Sequence, residues 1–392
     1  MNRKIFFLAN IITFYINASK DAPPLLQNLR NTCYMNSVLQ ALFACTSLSD
    51  EVNKYKINVG ENKYDSYIEQ YYKLLREQQS LDKGTVIQPK RLLHCMNVNS
   101  IFGSSASASA NKQQDASEFL RLLLDKLTKD EKDDTKEELL IKNSIKRIFE
   151  FETKNMVKCS DGSEFESISK SKVRSSSTGV EVSFPYVLTS NQVFTLQELF
   201  NNGITDQSDF EYKDDATTGP FCPLYKNPND DSSYVNKKNK IISKWSQMTT
   251  APKVLVITPK RFNYDGTKIN NTIKYDLEPL SLRIDNKEYE YNLFASVIHF
   301  GDLASGHYTA VVKYGNQWYN CDDFPNPDIS KISKQEAINR IQGSGSKEQG
   351  YIYFFERQGE KEISVKNSLG QILKKFLNEL NKIYLALFSS SH

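Results

Sequence analysis

The sequence predicts an α+β fold, because helical periodicity dominates before about residue 145 and strand-like runs dominate after it. Two further observations bear on what that fold carries. A cysteine, Cys33, opens a helical stripe, while a histidine and an Asp-Asp pair that could serve it lie far downstream among the strands. The charge balance is nearly even, +3 over 392 residues, which leaves no electrostatic argument for nucleic acid or a membrane surface.

In chain order, residues 1–20 read MNRKIFFLANIITFYINASK: Arg3 and Lys4, a mostly apolar run from Ile5 to Ile16, then Ala18 and Ser19. This is the pattern of a secretory signal peptide and implies a secreted protein; a buried N-terminal element of a cytoplasmic protein is the alternative. The run is shorter than the roughly 20 residues a membrane span needs, and no other segment is apolar enough for an integral membrane span. Past Pro23-Pro24, the stretch LQNLRNTCYMNSVLQALF sets Met35, Val38, Leu39, Leu42 and Phe43 on one stripe, an amphipathic helix with Thr32 as N-cap and Cys33 in its first turn. Tyr64, Tyr67, Ile68, Tyr71, Leu74 and Leu75 mark a second helix, and IQPKRLLHCMN a short one begun near Pro89. GSSASASANK is a small-residue loop. Asp115 followed by Glu118 forms a capping-box pattern ahead of Phe119, Leu120, Leu123 and Leu127, predicting a helix over 116–128. The run TKDEKDDTKEE reads as a solvated loop or helix face.

From about residue 145, the segments IKRIFEFETKNMVKC, VEVSF, KVLVITPKRF, YNLFASVIHF, HYTAVVKY, QWYNC and YIYFFER are β-branched and aromatic runs bounded by turn residues. Beyond Arg357, Leu369, Leu373, Phe376, Leu380, Ile383 and Leu387 space a heptad-like stripe on a Lys-rich tail. This predicts an amphipathic C-terminal helix over 360–390 that packs on the body or binds a partner or membrane surface. With 39% hydrophobic and 25% charged residues the chain is of soluble globular composition, long enough for one large or two ordinary domains. The six cysteines are scattered and read as thiols rather than a disulfide framework.

Cys33 is either buried filler or a nucleophile, and its partners decide. A helix N-terminus favours negative charge, which suits a thiolate. A nucleophilic cysteine needs a base, and the base an orienting group. His392 ends the chain, and His94 sits in a helical context. His299 and His307 remain, and His307 begins an alternating strand after a Gly-containing loop. Asp322 and Asp323 end the following strand and can hold the imidazole, or form a turn. Asn28 and the Cys33 N–H offer donors for an oxyanion.

These residues resemble the ubiquitin-specific proteases. LQNLRNTCYMNSVLQALF looks like their cysteine box, and QQDASEFLRLLLD like their Gln-Gln-Asp motif. APKVLVITPKRFNYD, HFGDLASGHYTAVVKY with WYNCDD, and YIYFFER resemble three further family segments in the same order, across roughly residues 25 to 357. The resemblance implies a papain-like cysteine protease fold over 24–357: a helical thumb (about 24–148), β fingers (149–250) and a β-rich palm (251–357). It implies Cys33 as nucleophile, His307 as base, Asp322 as orienting residue, Asn28 in the oxyanion hole and Asp323 as a helper there. Gln114, Asp115, Glu118, Gly306 and Tyr308 are implied to meet the incoming substrate tail, where acidic groups suit arginines near the C-terminus of ubiquitin. His299 is expected to support its loop.

The chain also departs from the family pattern. Leu25 and Arg30 stand where the family commonly has Gly, and an Arg30 held in a backbone conformation suited to Gly would strain or displace the oxyanion loop. Of the two Cys-x-x-Cys pairs of the family's zinc ribbon, only Cys159 and Cys222 remain, with Gly162 and Tyr225 at the other two positions; a closed Cys₄ site cannot form, and no metal or other cofactor is expected. The function implied is a deubiquitinating thiol protease acting on ubiquitin and ubiquitinated proteins, with a catalytically silent ubiquitin-binding module or a protease for a ubiquitin-like modifier as alternatives. A leader on such an enzyme suggests export toward another cell's cytosol.

Overall fold

The computed structural model describes residues 22–54, 67–80, 85–98, 113–130, 132, 134–159, 164–166, 174–182, 192–204, 208–209, 241–263, 265–284, 286–302, 306–343 and 348–362. The leader, the small-residue loop, Gly162, Cys222, Tyr225 and residues 363–392 of the expected tail helix lie outside these.

The helices are α1 (Cys33–Phe43), α2 (Thr46–Asn53), α3 (Tyr67–Ser80), α4 (Lys90–Val98), α5 (Ala116–Thr128), α6 (Lys136–Phe149), α7 (Leu196–Ile204) and α8 (Lys334–Gln342). The strands are β1 (Leu25–Leu26), β2 (Val86–Ile87), β3 (Phe151–Cys159), β4 (Glu164–Glu166), β5 (Arg174–Ser177), β6 (Val180–Val182), β7 (Phe194–Thr195), β8 (Ser208–Asp209) and β9 (Ile241–Met248). The second half adds β10 (Val254–Pro259), β11 (Ile273–Lys274), β12 (Leu280–Ile284), β13 (Lys287–Gly301), β14 (Gly306–Tyr314), β15 (Gln317–Asp322), β16 (Asp328–Ile332) and β17 (Glu348–Glu362).

An eight-stranded sheet runs β16-β15-β14-β13-β17-β10-β6, with β12 paired to β13; its pairings are antiparallel except β10 with β6. Both faces are covered, which explains why its strands read as near-continuous apolar runs. Val254, Val256, Val297, Ala310, Val312 and Phe354 pack toward α1, α3 and α5 on one face. Their neighbours Leu255, Ile257, Val311, Tyr353 and Phe355 join Ala337 and Ile341 of α8 on the other. A separate five-stranded sheet holds β4-β3-β9-β8 with β5 on β3.

The structure corrects three sequence expectations. Residues 145–149 are the last turn of α6, not strand: Thr135 and Glu138 form a reciprocal capping box, and Ile141, Ile145, Ile148 and Phe149 are buried on one helical stripe. Residues 360–362 belong to β17 rather than to a helix, because Lys287–Tyr289 extend the ladder to Glu362. Helix α1 is buried along its whole length, not on one face; on its polar side the Asn36 and Gln40 side-chain amides donate to the carbonyls of Gln27 (3.0 Å) and Pro24 (2.7 Å). Helix α5 spans the predicted residues, capped by Asp115.

Replacing Thr135 by Ala removes one half of the α6 capping box and is expected to cost about 1 kcal/mol of stability. Denaturant unfolding at unchanged m-value checks this.

Candidate active site

Helix α1 brings Cys33 to its first position. Thr32 occupies the N-cap position, yet its side chain makes no capping bond. Its hydroxyl instead accepts the Leu29 N–H at 2.8 Å and donates to Asn28 Oδ1 at 3.4 Å. The chain can curl back in this way because Arg30 and Asn31 take left-handed backbone, φ 71° and 50°. Arg30 thus takes the conformation that suits Gly, and the strain falls mainly on it, of order 1–3 kcal/mol, since Asn tolerates this region. The loop keeps its hydrogen bonds despite that strain: Asn28 Oδ1 accepts from Thr32 N at 3.2 Å, and Asn28 Nδ2 donates to Asp323 Oδ1 at 3.1 Å.

The two aspartates, one ending β15 and one just past it, take different partners. Asp322 turns toward the imidazole, with His307 Nε2 and Asp322 Oδ1 2.7 Å apart. Asp323 is buried and faces α1, where Asn36 Nδ2 donates to its Oδ2 at 2.7 Å beside the Asn28 bond. Burial pushes the Asp323 carboxyl above its ordinary range, against the pull of those two amides. Burial also raises Asp322, but the His307 ring and the Phe324 N–H outweigh it and hold the carboxyl low. For His307, burial opposes charge, while hydrogen bonds to Asp322 and Cys33 favour it and lift the imidazole to about 10. The thiol, imidazole and carboxylate predicted from three separate segments thus come together.

The second histidine behaves oppositely. His299 is 1% exposed, with its ring centroid 4.6 Å from Tyr308, 5.6 Å from Tyr351 and 5.7 Å from Phe262. Burial, reinforced by Lys268 and Arg261, pushes it down to about 3, so it stays neutral. A Cβ at Gly306 would lie 2.5 Å from His299 Nε2 and 2.6 Å from the Phe300 carbonyl, so the turn before His307 needs glycine for close approach.

The remaining predicted residues divide. Asp115 caps α5, accepting from Ser117 N at 2.8 Å and Glu118 N at 2.9 Å, and takes the Tyr351 hydroxyl as well. Glu118 is exposed, and Gln114 is half-buried just before the cap. Tyr308, expected at the substrate surface, is buried: a strand turns it opposite to His307 and into the ring cluster. Sequence reasoning missed Gln113, whose Nε2 lies 3.8 Å from Cys33 Sγ while its Oε1 accepts the Gly306 N–H at 3.1 Å. The only signal was its place next to Gln114, and nothing in the motif says which of the two amides turns inward.

His307, Asp322 and Asp323 hold ligand-type atoms within 4.8 Å of one another, the one such grouping among the described residues. Those atoms are already engaged with the ring and with two amide donors, so the arrangement is a hydrogen-bond network rather than a metal centre. Cys33, Cys45, Cys95 and Cys321 are free thiols, and burial raises those of Cys45 and Cys321 well above the ordinary range. No helix among the described residues is long and apolar enough to cross a membrane.

A family profile described as ubiquitin carboxyl-terminal hydrolase matches residues 26–355. The chain belongs to that family. Ubiquitin carboxyl-terminal hydrolase 25 of Arabidopsis thaliana is 27% identical over 372 residues, 88% of this chain but 49% of the relative. The chain thus spans about half that relative's length. Hydrolase 4 of the same plant is 27% identical over 86% of this chain and 93% of its own. Among solved structures, the SAGA Ubp8/Sgf11/Sus1/Sgf73 DUB module bound to ubiquitin aldehyde matches with TM-score 0.61 at 18% identity, covering 88% of this chain and 71% of that one. The α+β, papain-like fold of the ubiquitin-specific proteases follows from that likeness.

Replacing Arg30 by Gly relieves one left-handed residue and is expected to stabilise the fold by about 1 kcal/mol, after the entropy that glycine adds to the unfolded chain. Thermal unfolding reads the change; a lower melting temperature would show that Arg30 contributes a contact worth more than the strain.

Proposed function

We propose that the chain is a thiol isopeptidase that hydrolyses the bond after the C-terminal Gly-Gly of ubiquitin on modified proteins. The observation that carries this is the 2.7 Å His307–Asp322 bond beside a cysteine at the start of a buried helix. Cys33 sulfur attacks the glycine carbonyl, and the oxyanion takes the Cys33 N–H and the Asn28 Nδ2–H that Asp323 does not use. Asn28 is pre-oriented for this, since its carbonyl oxygen is fixed by Thr32 and its amide by Asp323. His307 gives its proton to the leaving lysine nitrogen as the C–N bond breaks. Water then attacks the thioester, passes a proton through His307, and releases the ubiquitin carboxylate with Cys33 restored.

Gln113 bridges the thiol and the Gly306 backbone and positions the turn that carries His307. Glu118, exposed on α5, and Asp115 supply acidic character for a basic ubiquitin tail. In this reading α1–α6 form the thumb, the five-stranded sheet the fingers and the eight-stranded sheet the palm.

A ubiquitin probe with a thiol-trapping C-terminal propargylamide tests the proposal. The protein lacking residues 1–20 is expected to form a covalent adduct that Cys33→Ala abolishes. Ubiquitin binding without an adduct would establish a silent module, and neither would point to a ubiquitin-like modifier. A second expectation concerns pH. The folded value of His307, about 10, lies above its ordinary 6.5, so the charged ring persists through neutral pH and is lost as pH rises through about 10. In a pH profile of kcat/KM, Asp322→Asn removes the partner charge, so the alkaline limb should move to lower pH. The neutral-pH rate should fall by about 10²-fold or more.

A further inference from the structure

Phe324 is 65% exposed, the most exposed large apolar side chain among the described residues. It directly follows the two working carboxylates, and its ring centroid lies 5.9 Å from that of His307, tilted at 60°. Its position is fixed by its backbone: the Phe324 N–H donates to Asp322 Oδ1 at 3.0 Å, the same oxygen that meets His307 Nε2. The short connection that carries it is closed at both ends by the pairing of Asp322 with Asp328. One carboxylate therefore sets both the imidazole and the aromatic ring beside it. A single exposed aromatic is ordinary on a surface; one placed beside the His307 ring by its own backbone bond to Asp322 has a reason to be tested.

The surroundings of His307 are not symmetrical. Gln113 accepts the N–H of Gly306, the residue before His307, and reaches toward the Cys33 thiol. Asp322 holds the ring at Nε2, and the exposed Phe324 ring lies beside it. The leaving nitrogen takes its proton from His307, so its carbon chain departs from beside that imidazole, where the exposed apolar surface is the Phe324 ring. That chain is the methylene stem of a lysine, and apolar methylenes pack on an aromatic face.

We propose that Phe324 is the specificity-determining residue for the leaving-group side, an apolar platform that receives the stem of the modified lysine and the residues around it. This rests on the deubiquitinase reading above and deepens it.

The test compares Phe324→Ala and Phe324→Leu with wild type on two reactants. One is the ubiquitin propargylamide probe, which has no lysine beyond the reacting carbon; the other is ubiquitin joined by an isopeptide bond to a lysine in a short peptide. For Phe324→Ala, the expected result is probe labelling within about twofold of wild type and kcat/KM on the isopeptide reduced about tenfold, mostly through KM. Phe324→Leu should recover most of the loss. An equal fall on both reactants, with a shifted pH profile, would show that the ring shields the His307–Asp322 bond instead and overturn the proposal. So would an isopeptide rate that does not change. A wild-type protein the probe fails to label would remove the underlying reading instead, so the two failures are distinguishable.

Discussion

Asp322 is the last residue of β15 and Asp323 the first beyond it, and the two carboxylates hold different partners. One reaches across to His307 on the neighbouring strand; the other reaches under the sheet to Asn28 and Asn36. Those two amides belong to α1 and the turn before it, the segment that presents Cys33. A one-residue slip of β15 would move one aspartate into the other's place and put Cys321 or Phe324 in the place left, so either the imidazole or the Asn28 amide would lose its anchor. The register Ala310–Cys321 to Tyr314–Gln317 is therefore what joins the two halves of the site, and the apolar side chains on both faces of the sheet hold that register.

The layer behind the site is built for the same purpose. Arg261 is fully buried, and its guanidinium donates to the carbonyls of Gly350 (2.8 Å), Ile269 (3.1 Å) and Asn271 (3.1 Å) and to Gln349 Oε1 (3.2 Å). Burying a cation is costly unless it is hydrogen-bonded; here the Gly350 and Gln349 bonds tie the 261–271 segment to the start of β17, while the Ile269 and Asn271 bonds close that segment on itself. Phe262, next in sequence, then packs on Tyr351 and His299. His299 in turn lies under Gly306. The Lys-Arg-Phe segment thus acts on the chemistry at two removes, as the support of the ring that supports the turn before His307.

Much of this was legible in the sequence where one residue type admits one job. Helix α5 could be read because Asp115 and Glu118 mark its start and the leucines keep its period. The meeting of Cys33, His307 and Asp322 was legible only through ordered motifs, since their separation along the chain carries no geometry. What could not be read depends on direction rather than type. Gln113 and Gln114 are chemically identical, and the backbone entering the Asp115 cap selects which one meets the thiol. Tyr308 looks like a surface residue beside a catalytic one until alternation sends it inward. Residues 145–149 have strand composition, yet a cap laid down at Thr135 carries the helix through them.

The two histidines of the β13–β14 hairpin show why residue identity alone does not assign chemistry. Both are partly or fully removed from water, and burial by itself disfavours the charged ring in both. At His299 the nearby charges are cations, Lys268 and Arg261, so they add to burial and the ring remains neutral. At His307 the partners are Asp322 and Cys33, which reverse the effect of burial. A neutral ring can be packed among three aromatic rings and serve as a floor; a charged one can hold a proton for a leaving group. The difference arises because β13 turns His299 toward the aromatic cluster, while β14 begins where His307 meets both the carboxylate of β15 and the first residue of α1.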